Sequence, residues 1–144
     1  MIWAMADLDD EQLRAGYATF NRGDIEGALS FWHPDAEIDR SMNFGNPGIY
    51  KGLDGVRRFY ESIFEHYSEF RIEPDEVIPA GDKMVVVART IGRHRLSGME
   101  VTAQEINVWT MREGKAIHVQ LFPDRDEALL AAGLDPTEVD SPVR

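Results

Sequence analysis

The sequence predicts an α+β domain in which helices come first and an antiparallel sheet follows. Three observations carry this. As far as Tyr67, apolar residues recur at helical spacing; from Phe70 onward the period falls to two; and an acid-first, alanine- and leucine-rich segment ending at Gly133 reads as a last helix. With 144 residues, 43% of them hydrophobic, the chain fits one domain with a sizeable core. We expect that domain to span 1–144, with its core over about 8–134 and a loosely ordered acidic tail over 135–144.

Leu8-Asp9-Asp10-Glu11 opens the first helix, its acids at the positive end of the dipole, and Leu13, Tyr17 and Phe20 repeat along one side. Asn21-Arg22-Gly23-Asp24 ends it, and Asp24 can cap a short second helix over Ile25 to Trp32. His33-Pro34-Asp35 stops that helix, and Ala36 to Arg40 reads as a brief strand. The stretch from Met42 to Gly52 carries three glycines and a proline and reads as a loop holding Tyr50. From Leu53 a long helix presents Val56, Phe59, Tyr60, Ile63, Phe64 and Tyr67 as a stripe wide enough to lie on a sheet. The strands that follow are divided at Pro79-Ala80-Gly81-Asp82, Leu96-Ser97-Gly98 and Arg112-Glu113-Gly114-Lys115.

Composition removes several classes of function. A net charge of −11 opposes a polyanionic partner, so neither nucleic acid nor an anionic membrane is expected. The chain has no cysteine, which excludes disulfides, thiol nucleophiles and thiolate metal sites. The apolar opening Met1 to Met5 is too short for a secretory signal, and a cytoplasmic protein is the expectation. His33, His66, His94 and His118 never approach the i, i+3 or i, i+4 spacing of a metal pair, so no metal is expected. With no Walker loop, Gly-x-Gly-x-x-Gly or Gly-x-Ser-x-Gly, no cofactor is expected either.

The faces of the sheet depend on its turns. If Arg112-Glu113-Gly114 is a three-residue hairpin loop, Trp109 faces Ile117, Asn107 faces Val119 and Glu105 faces Leu121. The same treatment of Leu96-Ser97-Gly98 sets Arg89 opposite Glu105 and Val87 opposite Asn107. One mostly apolar face then carries Val87, Arg89, Glu105, Asn107, Trp109, Val119 and Leu121, its polar members close together. The other carries Ile106, Val108 and Phe122, an apolar patch suited to a second copy of the chain. A slip of one residue in either turn exchanges the faces.

Asn21-Arg22-Gly23-Asp24, Phe31-Trp32-His33-Pro34-Asp35-Ala36-Glu37, Tyr50-Lys51-Gly52-Leu53-Asp54-Gly55-Val56, Val108 to Lys115, and Asp126 to Leu129 with Ala132-Gly133-Leu134 together resemble the SnoaL-like polyketide cyclase group of the nuclear-transport-factor-two-like superfamily. The resemblance implies a cone-shaped α+β barrel: a curved antiparallel sheet, closed by N-terminal helices around an apolar pocket, with the outer sheet surface available for a homodimer. That fold hosts isomerases, cyclases, an epoxide hydrolase and proteins without chemistry, so it does not fix an activity. Carried over by position, the carboxylate base of ketosteroid isomerase falls on Arg40, which cannot abstract a proton, with Asp39 one step away. The acid donor of that enzyme falls on Asn107, and its tyrosine falls near Tyr17. The strand arginine of limonene epoxide hydrolase falls on Arg89, but its carboxylates fall on Ile91 and Leu121.

The resulting expectation is a cofactor-independent pocket for a hydrophobic, oxygen-bearing small molecule. Glu105 or Asp39 would serve as base, Asn107 and Tyr17 as carbonyl donors and Arg89 as enolate stabiliser, with Tyr17, Trp32, Tyr50, Phe59, Val87, Trp109, Val119 and Leu121 against the ligand. A ligand-binding or scaffold module without turnover is the alternative.

Overall fold

The computed structural model describes residues 2–43 and 47–139. Of the predicted Met42–Gly52 loop, residues 44–46 lie outside this set, as do residues 140–144 of the predicted tail.

Helix α1 (Ile2–Asn21) starts before Leu8, since nothing in its first turns interrupts a helix. Leu13, Tyr17 and Phe20 are buried from it. Its last residue replaces a strand partner: the Asn21 amide donates to the Ile72 carbonyl and accepts from the Ile72 N–H, both at 2.9 Å. Gly23 turns the chain with φ of 80°. Asp24 then caps α2 (Ile25–Leu29), its carboxylate accepting from the Gly27 N–H at 2.9 Å.

Strand β1 (Trp32–Asp39) begins earlier than the sequence suggests, because His33-Pro34-Asp35 is absorbed as an irregularity between Trp32 and Glu37. Proline is tolerated there because the ladder is already interrupted. A short edge strand β2 (Ile49–Lys51) pairs with β1 inside the predicted loop; three residues are too few to show a period. Helix α3 (Gly52–His66) follows and runs directly into β3 (Tyr67–Ala80). Then come β4 (Lys83–His94), β5 (Glu100–Arg112), β6 (Lys115–Phe122) and α4 (Arg125–Ala131), the last capped by Asp124. Beyond it Pro136–Glu138 form a single 3-10 turn capped by Asp135.

The six strands form one curved sheet in the order β2-β1-β6-β5-β4-β3. One pair departs from the expected antiparallel pattern: β1 and β6 run parallel, while the other neighbours are antiparallel. Helices α1 and α3 cover one face, and two buried clusters occupy the interior. Leu13, Tyr17 and Phe20 meet Ile72, Val86 and Ala88 in the first; Trp32, Ile38, Val56 and Val119 meet in the second.

Both predicted hairpin loops are corrected, with different consequences. Between β5 and β6 the loop is Glu113-Gly114, both residues at positive φ (55° and 76°), and Arg112 pairs with Lys115. A bulge at Ile117 then adds a second one-residue shift, so Trp109 faces Val119 and Asn107 faces Leu121. The two shifts cancel in parity, and the face assignment survives. Between β4 and β5 the loop is one residue longer than predicted, with the His94 N–H donating to the Met99 carbonyl at 2.9 Å. Asn107 therefore pairs with Val86 and Glu105 with Ala88, so the faces of β4 are exchanged relative to prediction.

Candidate functional site

That exchange removes two predicted site residues. Arg89 lies on the outer face, where its guanidinium grips Asp75 through two bonds of 2.8 and 3.0 Å. Asp75 reaches it from the bulge between Pro74 and Glu76 of β3. Val87 also faces outward, buried with Val85, Ile106 and Val108 beneath Ala128 and Leu129 of α4. A third predicted residue, Asp39, alternates with Ile38 along β1 and so points away from the interior, accepting from the Ser41 N–H at 2.9 Å. The bond to Ser41 holds its carboxyl below the usual range.

Inside, Glu105 has a different partner. Arg40, the residue after β1, continues the inward alternation of Ala36 and Ile38, and its Nη2 donates to Glu105 Oε1 at 2.7 Å. The side chains retain only 13% and 21% of their exposure. The guanidinium carbon lies 5.1 Å from the centre of the Phe59 ring, and Phe59 packs on Tyr50 at 5.0 Å between centroids. Asn107 follows Glu105 on the same face of β5 and is 5% exposed.

Beyond Phe59, aromatic residues of α1, α3, β1 and β5 pack on one another. Trp109 meets Tyr17 edge to face at 5.6 Å and Trp32 at 5.2 Å. Trp32 Nε1 donates to the Tyr60 hydroxyl at 2.9 Å. Burial first, then the Glu105 carboxylate and Tyr60, push the Tyr17 phenol well above its ordinary range; burial raises Tyr60 likewise, against the Trp32 hydrogen bond. Both phenols therefore stay protonated at neutral pH and act through hydrogen bonds. Of the predicted ligand contacts, Tyr17, Trp32, Tyr50, Phe59, Trp109, Val119 and Leu121 belong to this interior. Sequence reading missed Arg40 as the partner of Glu105, although its place in the β1 alternation was visible.

A cavity of about 30 Å³ opens between α1, α2 and the β5–β6 hairpin, against Tyr17, Trp32, Tyr60 and Trp109. That is room for roughly one water, whereas ligand pockets typically enclose roughly 300–1,000 Å³, so this cavity does not hold a ring-sized ligand as it stands. A surface cleft of about 560 Å³ between the end of α1, α3 and the β3–β4 edge has two of its arginines already paired: Arg71 with Glu73, and Arg93 with Glu69 and Glu100.

One residue group that could hold a metal escaped the spacing argument. The parallel pairing of β1 and β6 sets Glu37 beside His118, 3.4 Å from Oε2 to Nε2, and one ligand atom from each of Glu37, Asp39 and His118 lies within 4.8 Å of the others. The Lys51 ammonium, 3.9 Å from Glu37, competes for the same carboxylate.

The fold has counterparts among known proteins. Residues 13–119 match the family model described as SnoaL-like domain. The chain belongs to the SnoaL-like family. TerC, co-crystallised with polyporic acid, is 33% identical to this SnoaL-like protein, with 81% of this chain and 92% of TerC covered at a TM-score of 0.70. An NTF2-like protein of unknown function from Burkholderia pseudomallei is 26% identical, with 85% and 95% covered at a TM-score of 0.70. Among curated proteins, a β-glucosidase from Rhizobium radiobacter is 36% identical over 91 residues, which are 60% of the SnoaL-like chain but only 11% of that enzyme.

Proposed function

We propose that this chain binds a hydrophobic, oxygen-bearing small molecule between the sheet and helices α1 and α3, and transfers a proton on it without a cofactor. Glu105 is the base, Arg40 balances the negative charge that develops on the substrate, and Asn107 and Tyr17 donate to its oxygen. The observation that carries this reading is the Arg40–Glu105 pair, held within an aromatic interior at 2.7 Å. Withdrawing two charges from water costs several kcal/mol per ion when burial is complete, and well-packed apolar residues often serve stability as well or better. A ligand that uses both charges accounts for their presence. The co-crystallisation of the relative TerC with polyporic acid supports the same reading.

A second reading, ligand binding without turnover, is favoured by the same bond, since Arg40 occupies one oxygen of Glu105, Oε1, and leaves only Oε2 to take a proton. The two are separated by experiment. A thermal-shift screen of lipophilic ketones and phenols finds the ligand, since a compound held at 100 times its dissociation constant adds ~2.7 kcal/mol of stability. Exchange of the α-protons of a ketone hit is then followed in heavy water. Exchange in the wild type, lost in Glu105→Gln with binding retained, supports proton transfer; binding without exchange leaves the module reading.

A further inference from the structure

The parallel seam between β1 and β6 assembles three ligating side chains from segments far apart in the chain. Along β1, Ala36 and Ile38 turn inward and are buried, so Glu37 and Asp39 share the outer face. The register then sets His118 of β6 directly beside Glu37. One ligand atom from each of the three lies within 4.8 Å of the others. Three features set this group apart from a pair of surface acids. The first is its spacing: His118 Nε2 and Glu37 Oε2 are 3.4 Å apart, too far for a charge-assisted hydrogen bond of about 2.7–2.9 Å. The same separation matches the edge of a tetrahedral zinc site, about 3.3–3.6 Å for metal–ligand bonds of about 2.0–2.2 Å. The second is support: the Ser41 N–H donates to Asp39 Oδ1 at 2.9 Å, the kind of outer bond that orients a metal-ligating carboxylate. The third is placement, since all three residues are half-buried and sit on strands, which hold side chains more precisely than loops do.

We propose that Glu37, Asp39 and His118 form a binding site for a divalent transition cation of the zinc type, its remaining coordination position open to solvent. An imidazole nitrogen beside two carboxylates suits zinc and its neighbours in the series, whereas calcium and magnesium favour all-oxygen ligand sets. The Lys51 ammonium, 3.9 Å from Glu37 on a side chain 76% exposed, is the charge that the cation displaces, and it moves into water at little cost. The bound cation ties β1 to β6 and so stabilises a contact between segments about 80 residues apart. The site lies on the opposite face of the sheet from Arg40 and Glu105 and takes no part in the proton transfer proposed there.

The test titrates Zn²⁺ alone into the full chain, first freed of metal with a chelator, by calorimetry, with thermal melting as the second readout. One equivalent per chain is expected to bind and to raise the melting temperature. His118→Ala and Asp39→Asn are each expected to weaken binding about tenfold or more and to abolish the melting shift. Lys51→Met is expected to tighten binding about threefold or more, because it removes a positive charge from beside the cation. Circular dichroism of each variant without metal confirms the fold. Replacing His33, His66 or His94 by alanine, one at a time, is the control and should leave the affinity unchanged. No binding overturns the proposal. Binding that survives His118→Ala, or that any control weakens as much, means an adventitious ion only and overturns it too. Unchanged or weaker binding in Lys51→Met overturns the arrangement around Glu37. The ligand interior is judged separately by the thermal-shift screen.

Discussion

At the scale of single residues, two arginines divide the functional question. Arg40 faces inward and Arg89 faces out, so replacing each by methionine should have opposite readouts. Arg89→Met is expected to shift stability by about 0–1 kcal/mol, as exposed ion pairs do, with ligand affinity unchanged. Arg40→Met leaves Glu105 without its partner and is expected to cost about 1–3 kcal/mol, less than for a fully buried pair, and to weaken binding of any hit about tenfold or more. Chemical denaturation and calorimetry read both, and a stable Arg40→Met variant that binds normally would remove the pair from the site. Tyr17→Phe tests the Tyr17 hydroxyl, which is buried with no hydrogen-bond partner: removing it should raise stability by about 1 kcal/mol. Its pH dependence has a definite sign. A phenol raised in the folded state stabilises fully below its unfolded value, so stability should begin to fall as pH rises past 10.0, and Tyr17→Phe should flatten that alkaline decline. Glu105, Asn107 and Trp109 were legible as neighbours on one face because alternation within a single strand needs no knowledge of its partner. Which charge meets Glu105 was not, because that depends on the register between strands.

At the scale of elements, the deciding details are loop lengths. A one-residue error in the β4–β5 turn sent Arg89 and Val87 to the wrong face, while two such errors between β5 and β6 cancelled at Ile117. Hydrophobic alternation could not expose the first error, since Val85, Val86, Val87 and Ala88 are all apolar and β4 is buried on both sides there. The outer side is buried because α4 lies on it, with Val85 and Leu129 fully enclosed and Ile106 only 6% exposed. The apolar patch expected to attract a second copy is thus covered by the chain's own C-terminal helix. Ile106→Asp should therefore unfold the protein rather than merely change its mass, with a loss of about 2 kcal/mol or more in urea titration. A chain ending at Pro123 should expose the valines of β4 and self-associate, which light scattering would detect; a monodisperse product would mean that α4 is dispensable.

At the scale of the whole molecule, the succession of helices and strands was readable because a change of period is a local signal. The parallel contact between β1 and β6 was not, because it joins segments about 80 residues apart and leaves no local mark. No helix among the described residues is long and apolar enough to cross a membrane. The expected homodimer, if it uses the outer face, has to rest on the polar surface that α4 leaves uncovered, and sedimentation velocity against the 16.3 kDa chain mass measures it directly. The β1–β6 pairing also sets an order of events during synthesis. Trp32 and Ile38 leave the ribosome about 80 residues before the strand they rest against, Ala116 to Gln120. Until then the nascent polypeptide carries a sticky half-built wall, so the enclosure around Glu105 comes into being late and abruptly, and premature termination anywhere before β6 should yield material for degradation rather than a partial receptor.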